Sequence, residues 1–313
     1  MTAYVARRLL LVIPTLIGAA TLVFIAIRLA PGDPATVLLG AFATPQAVAE
    51  LRQQYGLDQP LYVQYVVFLK DILTLDFGKS YATSQPAMSQ ILAVLPYSAQ
   101  LAITSLVVAL VIGIPAGIIA ATSRRRWLDG ASMLGALALV SVPSFYLGVL
   151  LITIFSIGLN LLPVTGAGDT GDPLSLLQHL VLPSLALGGS TAAVVARMTR
   201  SSMLEVMSRE FVVAARAKGL AESAVVLRHA LKNAFIPVMT VMGLEIGRLL
   251  GGSVVVETVF ARPGIGKLLV DSITARDYIQ VQASIVVLAV IFVLLNLATD
   301  VSYAALDPRI RYG

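Results

Sequence analysis

Cysteine is absent from the 313 residues, which excludes disulfides and thiolate metal sites alike. Histidine occurs only twice, at His179 and His229, with no spacing that suits a metal ion. Charge is scarce as well. Asp, Glu, Lys and Arg make up 12% of the chain, against roughly a quarter in soluble domains. Hydrophobic residues make up 58%, and the mean hydropathy is +0.88, which places the chain among membrane proteins. A nucleotide-binding loop is missing too. The "GIGK" at 264–267 has Ala261 where a phosphate loop requires its first glycine, and Leu268 where it requires Ser or Thr. It reads as a turn and a helix start, so any ATP chemistry belongs to another subunit.

What the chain does have is long apolar runs. A spanning helix takes about 20 such residues, and six stretches qualify: 9–29, 99–121, 131–157, 179–198, 236–256 and 281–303. The first has a longer apolar core than a signal peptide and no small-residue cleavage site after it, so it is expected to be a retained anchor. A seventh run, 61–75, is too short and carries Lys70 and Asp71. Six crossings put both termini on one side, together with the loops around 124–126 and 197–232. That side collects fourteen basic residues, among them Arg7, Arg8, Arg216, Lys218, Arg228 and Lys232, against six on the other. Basic residues flanking spans stay inside, so both ends are expected in the cytoplasm, with no nucleic acid needed to explain the net charge of +5.

The longest outer segment, 31–97, opens with "APGDP", a turn signal. Thr44 and Pro45 predict a helix start, and that short helix should end near Gly56. With the 61–75 helix it forms an outer cap that partly hugs the membrane. The expected organisation is a first spanning helix (1–30), this outer segment (31–97), a five-helix transmembrane body (98–304) and a tail (305–313).

Between the fourth and fifth runs lies "FVVAARAKGLAESAVVLRHALKNAFIP", residues 211–237. It is basic, rich in alanine and helix-prone on both sides of Gly219. That glycine suits the left-handed position that ends a helix, and the second helix is expected to stop near Pro237. Read from its residues alone, the stretch is either a knob against which a partner packs closely, or a basic amphipathic linker lying on anionic headgroups.

"AARAKGL" followed by "RHALKNAFIPVMT" resembles the cytoplasmic loop of permease subunits of binding-protein-dependent ABC importers, in their dipeptide, oligopeptide and nickel branch. Other stretches resemble the same branch: "RRLLLVIPTLIGAATLVF" then "APGDP", "YGLDQPLYVQY", "DFGKSY", "VARMTRSSMLEV", "VVVETVFARPGIGKLL" and "YAALDPRIRYG", in order along nearly the whole chain. The resemblance implies an all-α protein of six transmembrane helices with the type I importer permease fold, in the inner membrane of a prokaryote. The loop at about 199–235 would hold a coupling helix, with Ala214, Ala215, Arg216, Lys218, Gly219 and Leu220 meeting an ATPase subunit. The family pattern begins with glutamate where this chain has Val213. The implied partners are a second homologous permease, two ATP-binding subunits that use ATP and Mg, an extracytoplasmic substrate-binding protein and membrane lipid. This chain would carry no cofactor and would not itself be an enzyme. The implied substrates are dipeptides or short oligopeptides, or else nickel chelates, glutathione or oligosaccharides.

Charged residues inside spans should face protein or water, because a charge at the bilayer centre costs about 2.5–3.5 kcal/mol on insertion scales. Glu245 and Arg248 share one helix face and can pair. They line the translocation path or its gate, or form an ion pair at the interface with the second permease. Asn296, Asp300 and Tyr303 form a stripe that serves either as a structural seam or as a substrate contact. Gly113 and Gly117, and Pro143 between Ser141 and Ser144, permit close packing and kinking. Glu257 and Phe260 either serve the outer mouth, where a binding protein docks, or make a structural turn. An ion-coupled secondary transporter would be expected to show internal repeats, and none is seen between the halves. An intramembrane enzyme would need a metal or nucleophile motif that is missing.

Overall fold

The fold is described by a computed structural model over residues 2–29, 34–39, 43–123 and 126–306. Among these residues the regular structure is helical apart from one isolated antiparallel bridge between Lys79 and Pro86. In chain order the helices are α1 (Thr2–Leu29), α2 (Pro34–Leu39), α3 (Pro45–Gln54), α4 (Leu61–Thr74), α5 (Ala87–Thr122), α6 (Arg126–Ser141) and α7 (Ser144–Leu151). They continue with α8 (Pro173–Met207), α9 (Glu210–Ala217), α10 (Glu222–Ala224), α11 (Leu231–Val259), α12 (Ile265–Thr274) and α13 (Tyr278–Leu306). Two π-helical segments, Ile152–Gly158 and Val225–Ala230, extend α7 and join α10 to α11. Helices dominate because a chain in hydrocarbon must satisfy its own backbone polar groups.

Five of these helices are long and apolar enough to cross a membrane singly. The sixth expected crossing is a pair, Gly130–Ser141 and Ser144–Gly158, bent by 104°. Pro143 has an extended backbone (ψ 140°) and starts α7 without a side-chain cap, so the helix breaks where the Ser-Val-Pro-Ser run suggested a kink. At Pro237 the expected stop does not occur, and α11 runs through it to Val259. The proline removes the bond to the Asn233 carbonyl, and both residues lie on the exposed face. The buried face, with Ala234, Val238 and Met242, keeps its packing and carries the helix onward.

The chain divides into two compact units. The first comprises residues 1–96 and 263–297. Its core gathers Phe24, Phe68, Phe77, Ile91, Ile265 and Val287. Phe24 of α1 packs between Tyr65 (centroids 5.1 Å apart) and Phe68 (5.6 Å), and the Thr21 and Tyr65 hydroxyls lie 2.6 Å apart. Thr44 caps α3 as expected, its hydroxyl accepting from the Ala47 amide at 3.2 Å. Asp277 begins α13 by accepting from the Gln280 amide at 3.1 Å and also receives the Ser80 hydroxyl, which ties the 77–86 loop to that helix.

The second unit comprises 97–262 and 298–313. Its centre is α8, which is capped by Asp172 and mostly buried. Glycines bring α5 onto it. A Cβ built on Gly113 would lie 2.6 Å from the Ala192 carbonyl oxygen, one on Gly117 2.5 Å from that of Ala196, and one on Gly188 2.5 Å from that of Ser105. The contact numbers rise together along both helices, so α5 and α8 run parallel. The bent α6–α7 pair between them therefore returns the chain from one end to the other and counts as a single crossing.

Gly188→Ala should lower stability by about 1–3 kcal/mol through overpacking against backbone. Gly135→Ala, where a Cβ meets nothing within 4 Å, should be neutral or mildly stabilising. Thermal melting of the two variants in the same detergent checks the contrast, and equal melting temperatures would refute the contact.

Candidate functional site

The segment after α8 folds as a short helix, a bend and a second helix. Helix α9 ends in a paired cap. The Leu220 amide reaches the Ala215 carbonyl at 3.4 Å, and the Gly219 amide reaches that of Arg216 at 2.9 Å. Gly219 itself sits at φ +76°, the left-handed conformation this cap requires. Val212 and Ala215 are buried against Met203, Val206, Val225, Val226 and Ala230. Ala214, Lys218, Gly219 and Leu220 are exposed around the bend.

The six residues expected at the coupling site therefore fall on one bend, but in two roles. Ala214, Lys218, Gly219 and Leu220 present a surface, while Ala215 faces inward. Arg216 is exposed but already engaged: its Nε and Nη2 donate to Glu222 Oε2 and Oε1 at 3.1 and 2.6 Å across the bend. That hydrogen bond raises the guanidinium's affinity for its proton. A bidentate pair of this kind sets geometry more than stability, because both partners are exposed.

Glu245 is buried and accepts from Arg248 Nη1 at 2.9 Å and from the Thr191 hydroxyl at 3.3 Å. The Arg248 side chain is 76% exposed on the surface of the second unit. Together with Ser144 and Ser190 they line a cleft of about 160 Å³. The pair expected from the three-residue spacing thus forms, with one member inside and one out. Asn296 is half-buried, and the Asp300 and Tyr303 side chains lie outside the described residues.

Glu257 and Phe260 are both fully buried. Ser98 donates to Glu257 Oε1 at 2.7 Å, and the Phe260 ring lies among Leu101, Leu182, Leu187 and Val256, close against Gly148. Both side chains are thus packed inside the second unit, Glu257 from the last turn of α11 and Phe260 from the residue that ends it. Beside them lies a residue that the sequence reading passed over. Arg262 is fully buried, donates from Nη2 to Gln100 Oε1 at 3.1 Å, and has its guanidinium 5.8 Å from the centroid of the Tyr97 ring. Burial lowers its pKa, and the Glu257 carboxylate opposes that shift. The clue was an arginine five residues after a glutamate at a helix end. Among the described residues no group of three His, Cys, Asp or Glu side chains is placed to hold a metal ion.

Two family models cover nearly the whole chain. Residues 1–102 match the N-terminal part, and 113–312 the main part, of the inner membrane component of binding-protein-dependent transport systems. The chain belongs to this family. It is 48% identical over 312 residues to the glutathione transport system permease protein GsiC of Escherichia coli, covering both chains completely, and 47% identical to that of Salmonella typhi. Its fold resembles an inward-facing MetNI methionine ABC transporter chain, with a TM-score of 0.60, 19% identity, and 72% and 100% of the two chains covered. It also resembles a chain of an amino acid ABC transporter crystallised with histidines, at a TM-score of 0.51 and 15% identity over 71% and 94% of the chains. The helical architecture is thus the type I ABC importer permease fold. The protein is a multi-pass inner-membrane permease subunit of a transport system, and it is not an enzyme.

Gly219→Ala should strain the left-handed cap by about 1–2 kcal/mol. Hydrogen exchange at the Gly219 and Leu220 amides should quicken about 5- to 30-fold if that cost falls on local opening. Unchanged protection at both amides would show that the bend does not depend on the glycine.

Proposed function

We propose that this permease pairs with a second, homologous permease to form a path for peptides or peptide-like solutes, with glutathione as the first candidate. Two ATP-binding subunits using ATP and Mg drive it from the cytoplasmic side, and an extracytoplasmic binding protein delivers the solute. Both termini lie in the cytoplasm, as the distribution of basic residues supports. On this reading the chain comprises an anchor (1–30), an outer segment (31–97), a transport body (98–304) and a tail (305–313). The similarity to glutathione permeases supports the solute class. Nickel chelates and oligosaccharides are the competing cargoes.

The observation that carries the coupling role is the capped bend at Gly219. Its inner side, Val212 and Ala215, is fixed in a hydrophobic cluster, and its outer side, Ala214, Lys218 and Leu220, is left uncovered. A knob held this firmly transmits displacement to the helices on either side, α8 and α11. Closure of the ATPases around ATP then biases the permeases between two access states. Glu245 and Arg248 lie on α11, and we assign them to the path or its gate. Asn296 and Asp300 are assigned to the path as well. Burial of Glu257 and Phe260 supports a part in holding the outer end of α11, not in receiving the binding protein.

The chain is naturally free of cysteine, so a single Lys218→Cys provides a clean crosslinking probe. In inverted membrane vesicles containing the whole transporter it should capture a nucleotide-hydrolysing subunit, and ATP should change the yield. Capture only from the outer face, or no ATPase in the product, would overturn the coupling role. Glu245→Gln should lower glutathione or dipeptide uptake by about tenfold, the effect of losing one charge-assisted hydrogen bond. Full uptake with full assembly would remove Glu245 from the path, and loss of assembly alone would assign the pair to the permease interface.

A further inference from the structure

The first unit contains a cleft of about 780 Å³ that plays no part in the reading above. Arg28, one residue from the end of α1, projects into it from the edge of the apolar stretch Leu10–Leu29. Its guanidinium lies 3.5 Å from the centroid of the Phe24 ring. Its Nε and Nη2 donate to Gln64 Oε1 at 3.1 and 2.9 Å. Gln64 in turn is held by its own amide, which donates to the Gln59 and Leu57 carbonyls at 2.8 and 3.3 Å. The guanidinium is therefore fixed from one side, and its Nη1 has no hydrogen-bond partner among the described residues. No carboxylate among the described residues is paired with it.

The same cleft is lined by Asp71, half-buried on α4, whose carboxylate also has no partner among the described residues. Burial raises its pKa, nearby Asp76 adds to the rise and Lys70 opposes it. Asp76 and Lys79 line the cleft as well, and Leu61, Val63 and Val67 form an apolar wall. The cleft thus offers a pre-positioned cation, an unpaired carboxylate and an apolar flank, at the end of a membrane span. Helix α4 supplies a second, independent observation. Tyr62, Val66 and Leu73 lie on one face of it, opposite the buried Phe68, and Leu73 is 86% exposed. An apolar stripe on a helix too short to span is a surface made to lie on lipid.

We propose that this cleft seats the headgroup of a phospholipid bearing a primary amine, of the phosphatidylethanolamine class. The phosphate lies on Arg28, with Lys79 adding positive charge to the same cleft, and the ammonium is directed to Asp71. The acyl chains lie along the wall, and the exposed face of α4, turned away from the cleft, rests on neighbouring lipid. Guanidinium and phosphate match in geometry and charge. A primary ammonium has three protons to donate to a carboxylate, and a quaternary choline has none. The headgroup would pin the outer segment at a fixed depth, and it would give Asp71 the direct ion-pair partner it lacks among the described residues.

The test uses the complete transporter, extracted and exchanged in parallel into mixed micelles containing phosphatidylethanolamine, phosphatidylcholine or phosphatidylglycerol, with retained lipid measured by native mass spectrometry. Phosphatidylethanolamine should be retained about tenfold more than phosphatidylcholine, the difference expected for one charge-assisted hydrogen bond. Arg28→Gln should abolish retention of all three, and Arg28→Lys should restore part of it. Asp71→Asn should keep retention but erase the preference for the primary amine. Equal retention of the three lipids by the wild type would overturn the assignment. So would an unaltered preference in Asp71→Asn, a reading that holds even if Arg28→Gln fails to assemble. Displacement of the bound lipid by glutathione or a dipeptide at equal occupancy would make the cleft a solute site and also overturn it.

Discussion

The approach of α5 to the backbone of α8 is the contact on which the second unit depends. In hydrocarbon, helices gain little from burying apolar side chains against one another, because lipid is as apolar as leucine. What holds them is close packing, and only residues without a side chain let two backbones come this near. Gly113 and Gly117 on α5 meet the Ala192 and Ala196 carbonyls, and Gly188 on α8 meets that of Ser105. This seam fixes α8, α8 carries the chain into α9, and the bend at Gly219 hands it on to α11. The bend at Gly219 is thus as well positioned as the glycine seam is tight.

Polar groups within the two units follow a second constraint. Each buried charge costs several kcal/mol unless it is satisfied, and each is placed so that an identifiable partner reaches it. Glu245 has Thr191 and Arg248, Glu257 has Ser98, and Arg262 has Gln100. Arg262 is the least complete, because Nε and Nη1 have no partner among the described residues. The ring of Tyr97 and the carboxylate of Glu257 offset part of that deficit electrostatically. Apart from Glu245–Arg248 within α11, these pairs join segments far apart in sequence, and they select one register of packing where apolar contacts alone would tolerate several.

Much of this was legible from residue types. The apolar runs, the Thr44–Pro45 cap, the left-handed Gly219 and the three-residue spacing of Glu245 and Arg248 are local signals, and local physics decides them. The continuation of α11 through Pro237 was not legible, because the cost of a missing backbone bond depends on which face of the helix bears it. The burial of Glu257 and Phe260 was hidden for a similar reason. Their neighbours, Ser98 and Leu101 on α5 and Leu182 on α8, are distant in sequence. Arg262 and the Arg28–Gln64 arrangement escaped because a single arginine near a span end reads first as an interfacial anchor. Only the fold reveals what stands opposite it.

The two alanines of the coupling bend show how adjacent residues of one kind take different work. Adjacent positions on a helix are about 100° apart, so of Ala214 and Ala215 only one can face the cluster of Met203, Val206, Val225 and Ala230. That one is Ala215. A larger side chain there would push α9 off the cluster and move the knob, whereas one at Ala214 would change only the surface offered to a partner. Smallness at 215 is then a packing requirement inside the chain, whereas nothing in the chain's own packing requires it at 214 among the described residues. The Arg216–Glu222 pair spans the bend from α9 to α10. An exposed ion pair adds little stability, so its contribution is to geometry. In the proposed coupling role, a knob that tilted freely would absorb a partner's motion, whereas one that is capped, packed and braced would pass it into α11.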